Sequence, residues 1–111
     1  MTIKELSQLY YLGKEIQYEQ LKLDKLKLCK DDKSLEIEEQ EKIIECNKQL
    51  HYIEHNRLLR YIYSVEDSLV RQILSLRFVN GLSWLQVSFS IGGGNTKDGV
   101  KKIVYRFLER G

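Results

Sequence analysis

Apolar side chains recur every three or four positions through residues 1–63. From Leu6 onward, Leu9, Leu12, Ile16, Leu23 and Leu26 mark one face of a long helix, with Glu19 as its one polar interruption. Gly13 lies inside this stretch and costs about 1 kcal/mol relative to alanine, an amount a long packed face absorbs. The polar run Lys30-Asp31-Asp32-Lys33-Ser34 breaks the period, and Ser34 is placed to cap a second helix. In that helix Ile43, Cys46, Leu50 and Ile53 step by three, four and three, and the pattern runs through Leu58 to about Tyr63. Two arms of roughly thirty residues, each roughly 40 Å long and folding back near residue 32, predict an antiparallel, coiled-coil-like helical hairpin. Pairing about that turn sets Cys29 opposite Ser34 and Cys46 near Gln17, which offers no intrachain disulfide. The narrow seam leaves Leu21, Leu28, Leu35, Ile37 and several tyrosines without partners, so a homo-oligomer is expected, with a dimer preferred.

The rhythm changes after Tyr63. Ser64 with Asp67, Ser83 with Gln86 and Asn95 with Asp98 each set a capping side chain three residues before an acidic or amide partner, which predicts three helix starts. Asn80-Gly81 closes the first stretch after Leu69, Ile73, Leu76 and Phe78, and Gly92-Gly93-Gly94 closes the second after Trp84, Val87, Phe89 and Ile91. The third runs from Thr96 through Val100, Ile103, Val104 and Phe107 to Leu108. The expected fold is all-α. Residues 1–63 form a long antiparallel helical hairpin, read as an oligomerisation arm, and residues 64–111 form a three-helix helix-turn-helix unit.

Composition agrees with this outline. The 111 residues include no proline and 31% are charged, which suits helices, and the length serves one core with an elongated appendage. Met1 to Gln8 is polar and no run approaches the roughly 18 apolar residues of a membrane span, so a soluble, cytoplasmic chain without membrane contact is expected. Cys29 and Cys46 lack CxxC spacing and read as ordinary thiols of a reducing compartment. Residues 1–63 carry 11 basic against 12 acidic side chains, whereas residues 64–111 carry 7 against 4. The basic excess is therefore C-terminal, where it matters most for an anionic partner.

Two short helices joined by a glycine-bearing turn, the second amphipathic and basic, form the unit that sets a recognition helix in the DNA major groove. With Val100, Ile103, Val104 and Phe107 facing the core, Thr96, Lys97, Lys101 and Lys102 project outward, and Arg106 and Arg110 follow. Asn95 or Thr96 can satisfy backbone N–H groups or meet a phosphate, Lys97 and Lys101 can reach base edges or phosphates, and Lys102 and Arg106 suit phosphates. Asp98 would repel phosphates and is assigned to capping. Trp84, beside Val87 and Phe89, reads as a core anchor rather than a base-stacking residue. The glycine run follows no strand and matches no phosphate-binding loop, so it reads as a turn.

One catalytic pattern has to be weighed against this. His51, Glu54 and His55 spell HxxEH, the spacing that presents two zinc ligands and a general base on one helical face. No supporting acidic cluster supplies a third ligand, and a thin hairpin offers no enclosed cleft. No nucleophile elbow occurs and neither cysteine sits in a recognisable catalytic arrangement. The chain is therefore read as a non-enzyme needing no metal or cofactor.

The segments Asp67 to Phe78 (DSLVRQILSLRF), Gly81-Leu82-Ser83-Trp84 and Ile91-Gly92-Gly93-Gly94-Asn95-Thr96 resemble small phage and mobile-element regulators of Gram-positive bacteria that carry a sigma-factor region-four-like helix-turn-helix. The resemblance covers Asp67 to Leu108, and Leu6 to Tyr63 more loosely. It implies binding of promoter or operator double-stranded DNA, alongside RNA polymerase, with residues 96–108 as the recognition helix. The short turn at Lys30 to Ser34 departs from relatives that carry a longer insert there. Nothing resembles the separate region with which a complete sigma factor melts a promoter, so the expectation is an accessory, sequence-specific transcriptional regulator. The competing reading is a phage DNA-packaging protein of the small-terminase type, or a protein-only adaptor; subunit number and DNA affinity separate the three.

Overall fold

The computed structural model describes residues 1–110, and every regular element among them is helical. Helix α1 (Ile3–Leu6) opens with a capping box, in which the Glu5 N–H donates to Thr2 Oγ1 (3.2 Å) and the Thr2 N–H to the Glu5 carboxylate (3.3 Å). Ser7 joins it to α2 (Gln8–Leu28), and the Ser7 hydroxyl donates back to the Ile3 carbonyl at 2.8 Å. Such back-bonding competes with the helical ladder, and the first long helix is bent at this point.

Helix α3 (Ser34–Ser64) runs antiparallel to α2. Near one end the Arg57 guanidinium meets the Glu5 carboxylate at 2.9 Å, and nearer the turn Gln40 Nε2 donates to the Glu19 carbonyl (2.8 Å) and carboxylate (2.6 Å). The turn between them is organised by Asp32, which accepts from the Ser34 N–H (3.0 Å) and hydroxyl (2.6 Å). Ser34 is thus the first residue of the helix and not its cap. The two bonds from Ser34 hold the Asp32 carboxyl below its ordinary pKa.

The inward stripe of α2 is the expected one: Leu9 and Leu23 are buried, and Leu12, Ile16, Glu19 and Leu26 are half-buried. The stripe of α3 is not. Ile43, Cys46, Leu50 and Ile53 are exposed, and the helix instead turns Gln40, Ile44, Asn47 and Leu58 inward. His51 and Glu54, half-buried, continue that line. The rotational phase of α3 is set at its C-terminal end, where Leu58 (4% exposed) and Ile62 (1%) enter the main hydrophobic cluster. That anchoring brings the polar register of the arm into the seam and leaves Asn47 Nδ2 buried without a hydrogen-bond partner.

Helix α4 (Ser68–Leu74) is capped by Asp67, whose carboxylate accepts from the Leu69 N–H (2.9 Å) and the Val70 N–H (3.2 Å). Ser64, the expected cap, is the last residue of α3 and donates its hydroxyl to the Tyr61 carbonyl. Beyond Leu74 the chain widens into a π-helical turn over Ser75–Val79, closed by the Asn80 N–H on the Ser75 carbonyl at 3.0 Å. Helix α5 (Trp84–Ile91) carries the anticipated Ser83 and Gln86 capping box with both halves formed. Helix α6 (Lys97–Arg110) closes the described chain.

One continuous hydrophobic cluster takes residues from both sides of position 64. Leu6 and Leu9 of the bent first helix, Leu58 and Ile62 of α3, Ile73 and Leu74 of α4, Val87 of α5, and Val100 and Val104 of α6 all belong to it. The remainder of α2 and α3 projects away, giving extents of 57 × 24 × 17 Å. Leu21, Leu28 and Leu35 remain exposed on this arm, whereas Ile37 is half-buried. Among the described residues no helix is long and apolar enough to cross a membrane.

Candidate nucleic-acid interface

The turn between α5 and α6 is made by Gly92, Gly93 and Gly94, with φ of 70°, 64° and 79°. Three successive left-handed residues are tolerable only without side chains, which explains why the run is glycine. The Gly92 N–H closes α5 on the Ser88 carbonyl (3.0 Å), and the Asn95 N–H and side-chain Nδ2 both donate to the Gly92 carbonyl (3.2 and 2.7 Å). Asn95 therefore fastens the turn. Thr96 caps α6, its Oγ1 accepting the Gly99 N–H at 3.0 Å. A Cβ at Gly99 would lie 3.0 Å from that same oxygen, so a side chain there would press on the cap and require the Thr96 hydroxyl to give by a few tenths of an ångström.

Helix α6 divides cleanly into two faces. Val100 and Val104 are fully buried, and Ile103, Phe107 and Leu108 pack partly buried on the same cluster. Opposite them Lys102 and Arg106 are exposed together with Asp98 and Glu109, while Thr96 and Lys97 are exposed at the helix start and Arg110 at its end. Lys101 is half-buried, with its ammonium 5.6 Å from the centre of the Tyr105 ring. That cation–π contact orients the lysine along the outer face. Asp98 is exposed in the first turn, where its carboxylate favours the positive helix end, but the capping bond belongs to Thr96.

The six residues singled out from the sequence thus lie in one continuous stretch but do two kinds of work. Asn95 and Thr96 build the turn and the cap, while Lys102 and Arg106 supply positive charge on the face turned away from the core, with Lys97 exposed at the helix start and Lys101 at the edge of that face. Tyr105 is a participant that the charge pattern alone passes over, although its position four residues after Lys101 is the spacing at which helical neighbours touch. Arg77 is another. Its guanidinium lies 4.9 Å from the centre of the Trp84 ring and donates to the Leu82 carbonyl at 2.9 Å, bracing the entry to α5. Trp84 meets Phe78 edge-on at 6.1 Å and is partly buried against the core cluster. Phe89, expected inside, is 75% exposed on the outer side of α5, because the short helix presents Val87 and Ser88 to its neighbours instead.

His51, Glu54 and His55 are all half-buried on α3, with His51 near Gly13 of α2. Among the described residues no three His, Cys, Asp or Glu side chains converge in a way that could hold a metal ion. Cys29 and Cys46 are both exposed free thiols. No family model, curated protein or solved structure matches the chain.

Proposed function

We propose that the chain is a sequence-specific DNA-binding regulator in which α5, the glycine turn and α6 act as a helix-turn-helix. The observation that carries this reading is the two-faced character of α6. Its valines anchor it on the core while Lys102 and Arg106, interspersed with Asp98 and Glu109, stand exposed on the opposite side, and Lys97 and Arg110 are exposed at its two ends. A helix held by one face, with basic side chains at its ends and among those of its other face, suits insertion into a groove lined by phosphates. Its N-terminal end, capped by Thr96, leads the lysines toward base edges, and Lys102 and Arg106 take the phosphate backbone. The resemblance of Asp67 to Leu108 to sigma region-four-like regulators points the same way and adds RNA polymerase as a partner.

About four phosphate contacts predict a log–log salt dependence of affinity with a slope of roughly −3.6. In Lys101→Ala/Lys102→Ala, measured by fluorescence anisotropy on duplex DNA, that slope falls to roughly −1.8 while helicity is retained. An unchanged affinity and slope would remove α6 from the interface.

A further inference from the structure

The apolar stripe that α3 turns away from α2 is continuous and bounded by charge. Ile43, Leu50 and Ile53 are 46, 52 and 59% exposed, and Cys46 between them is exposed as well. The same three-and-four spacing carries the stripe back to Glu39 and Glu36, and forward to Arg57 and Arg60. One end is therefore acidic and the other basic. Among the described residues Glu36, Glu39 and Arg60 take part in no ion pair, while Arg57 meets Glu5 and Glu54 and remains 48% exposed. Ile53, Asn56, Arg57 and Arg60 border a shallow depression at the basic end.

We propose that this stripe is the interface of a homodimer in which two α3 helices pair antiparallel about a twofold axis at Lys48. In that register Glu36 faces Arg60 of the partner subunit and Glu39 faces Arg57 of the partner subunit. Ile43 falls opposite Ile53 of the partner subunit, and Cys46 opposite Leu50 of the partner subunit. Every apolar position meets an apolar one and every charge its opposite, twice over by symmetry. A parallel pair would set carboxylate against carboxylate and guanidinium against guanidinium, which selects the antiparallel arrangement. The seam spans roughly 36 Å of helix. It leaves α5 and α6 of the two chains at opposite ends of the pair.

The test uses the full chain without DNA, so its outcome is independent of the DNA-binding reading. Sedimentation equilibrium in reducing buffer gives twice the 13.2 kDa chain mass. Ile53→Lys raises the dimer dissociation constant roughly a hundredfold, because two symmetric apolar contacts are lost. Arg60→Glu raises it about tenfold, and adding Glu36→Arg restores it by exchanging the charges of the same pair. In a Cys29→Ser background, Leu50→Cys under mild oxidation links position 46 of one chain to position 50 of the other. A monomer or a larger ring for the unaltered chain, or links joining 46 to 46 and 50 to 50, would overturn the proposal.

Discussion

Where α1, α3 and the short C-terminal helices meet, Leu6, Ile62, Ile73, Leu74, Val87, Val100 and Val104 lose essentially all exposure to water; along the arm from Gly13 to the turn, the buried apolar side chains are Leu23 and Ile44. The arm's other buried positions are held by Gln40 and by Asn47, whose amide nitrogen is unsatisfied. Isolated helices draw little stability from propensity alone and depend on packing of a face. Most of the folding free energy therefore resides at the clustered end, and the arm is a projecting part with few buried apolar contacts of its own. A projecting arm and a rigid base suit a chain that presents α6 to one partner and α3 to another.

The largest effect is expected at the base. Ile73→Ala removes a fully buried side chain and should cost about 2–5 kcal/mol in denaturant unfolding, with the amides of α4 and α6 losing their hydrogen-exchange protection together. A loss below about 1 kcal/mol would mean that the base is not where stability resides. Next comes the arm, where Asn47→Leu replaces an unsatisfied amide by an apolar side chain of similar length. It should stabilise the protein by about 1–3 kcal/mol, seen as a higher melting temperature, whereas a drop would show that Asn47 is satisfied in solution.

The smallest effect is electrostatic. Glu5 is held below its ordinary pKa by its hydrogen bond with Arg57, Glu19 by Gln40, and Asp32 by Ser34. Because folding depresses these carboxyls, their contribution is complete above the unfolded values of about 4 and disappears as pH falls through the lower folded ones. Helicity followed by circular dichroism should therefore decline modestly below about pH 4 and recover on return to neutrality. Glu19→Gln, which removes one of the titrating groups, should flatten that decline, and an unaltered profile would show that Glu19 contributes nothing to it.

Much of this architecture is legible in the residue pattern, and the exceptions have identifiable causes. The α2 stripe, a turn within the polar run from Lys30, the end of α3 within a residue of Tyr63 and the Ser83 and Gln86 capping box follow from local spacing, and the structure contains each of them. The face of α3 is the main departure. Ile43, Cys46, Leu50 and Ile53 make the more apolar stripe, but the phase of a helix is a property of its whole length, and Leu58 and Ile62 fix it from the core end. Local spacing cannot weigh a distant anchor against a nearby stripe.

Capping went astray for a smaller reason. At Ser64 and Ser34 a neighbouring aspartate, Asp67 or Asp32, offers a charged acceptor that outcompetes the hydroxyl. At α6 the cap falls to Thr96 because Asn95 is spent on the Gly92 carbonyl. The π-helical turn at Ser75–Val79 has no marker in the sequence rhythm, although Phe78 within it is buried in the core cluster. The core stripe of α6 at Val100, Ile103, Val104 and Phe107 is readable from spacing alone, and the bracing of Lys101 by Tyr105 and of the α5 entry by Arg77 is not.

The most direct test of the account is to incubate the purified chain with sheared DNA from its own genome at moderate salt and sequence what it retains. Enrichment of a few intergenic sites, lost in Lys101→Ala/Lys102→Ala, is the predicted result. Uniform recovery, or none, would contradict a sequence-specific regulator built on α6.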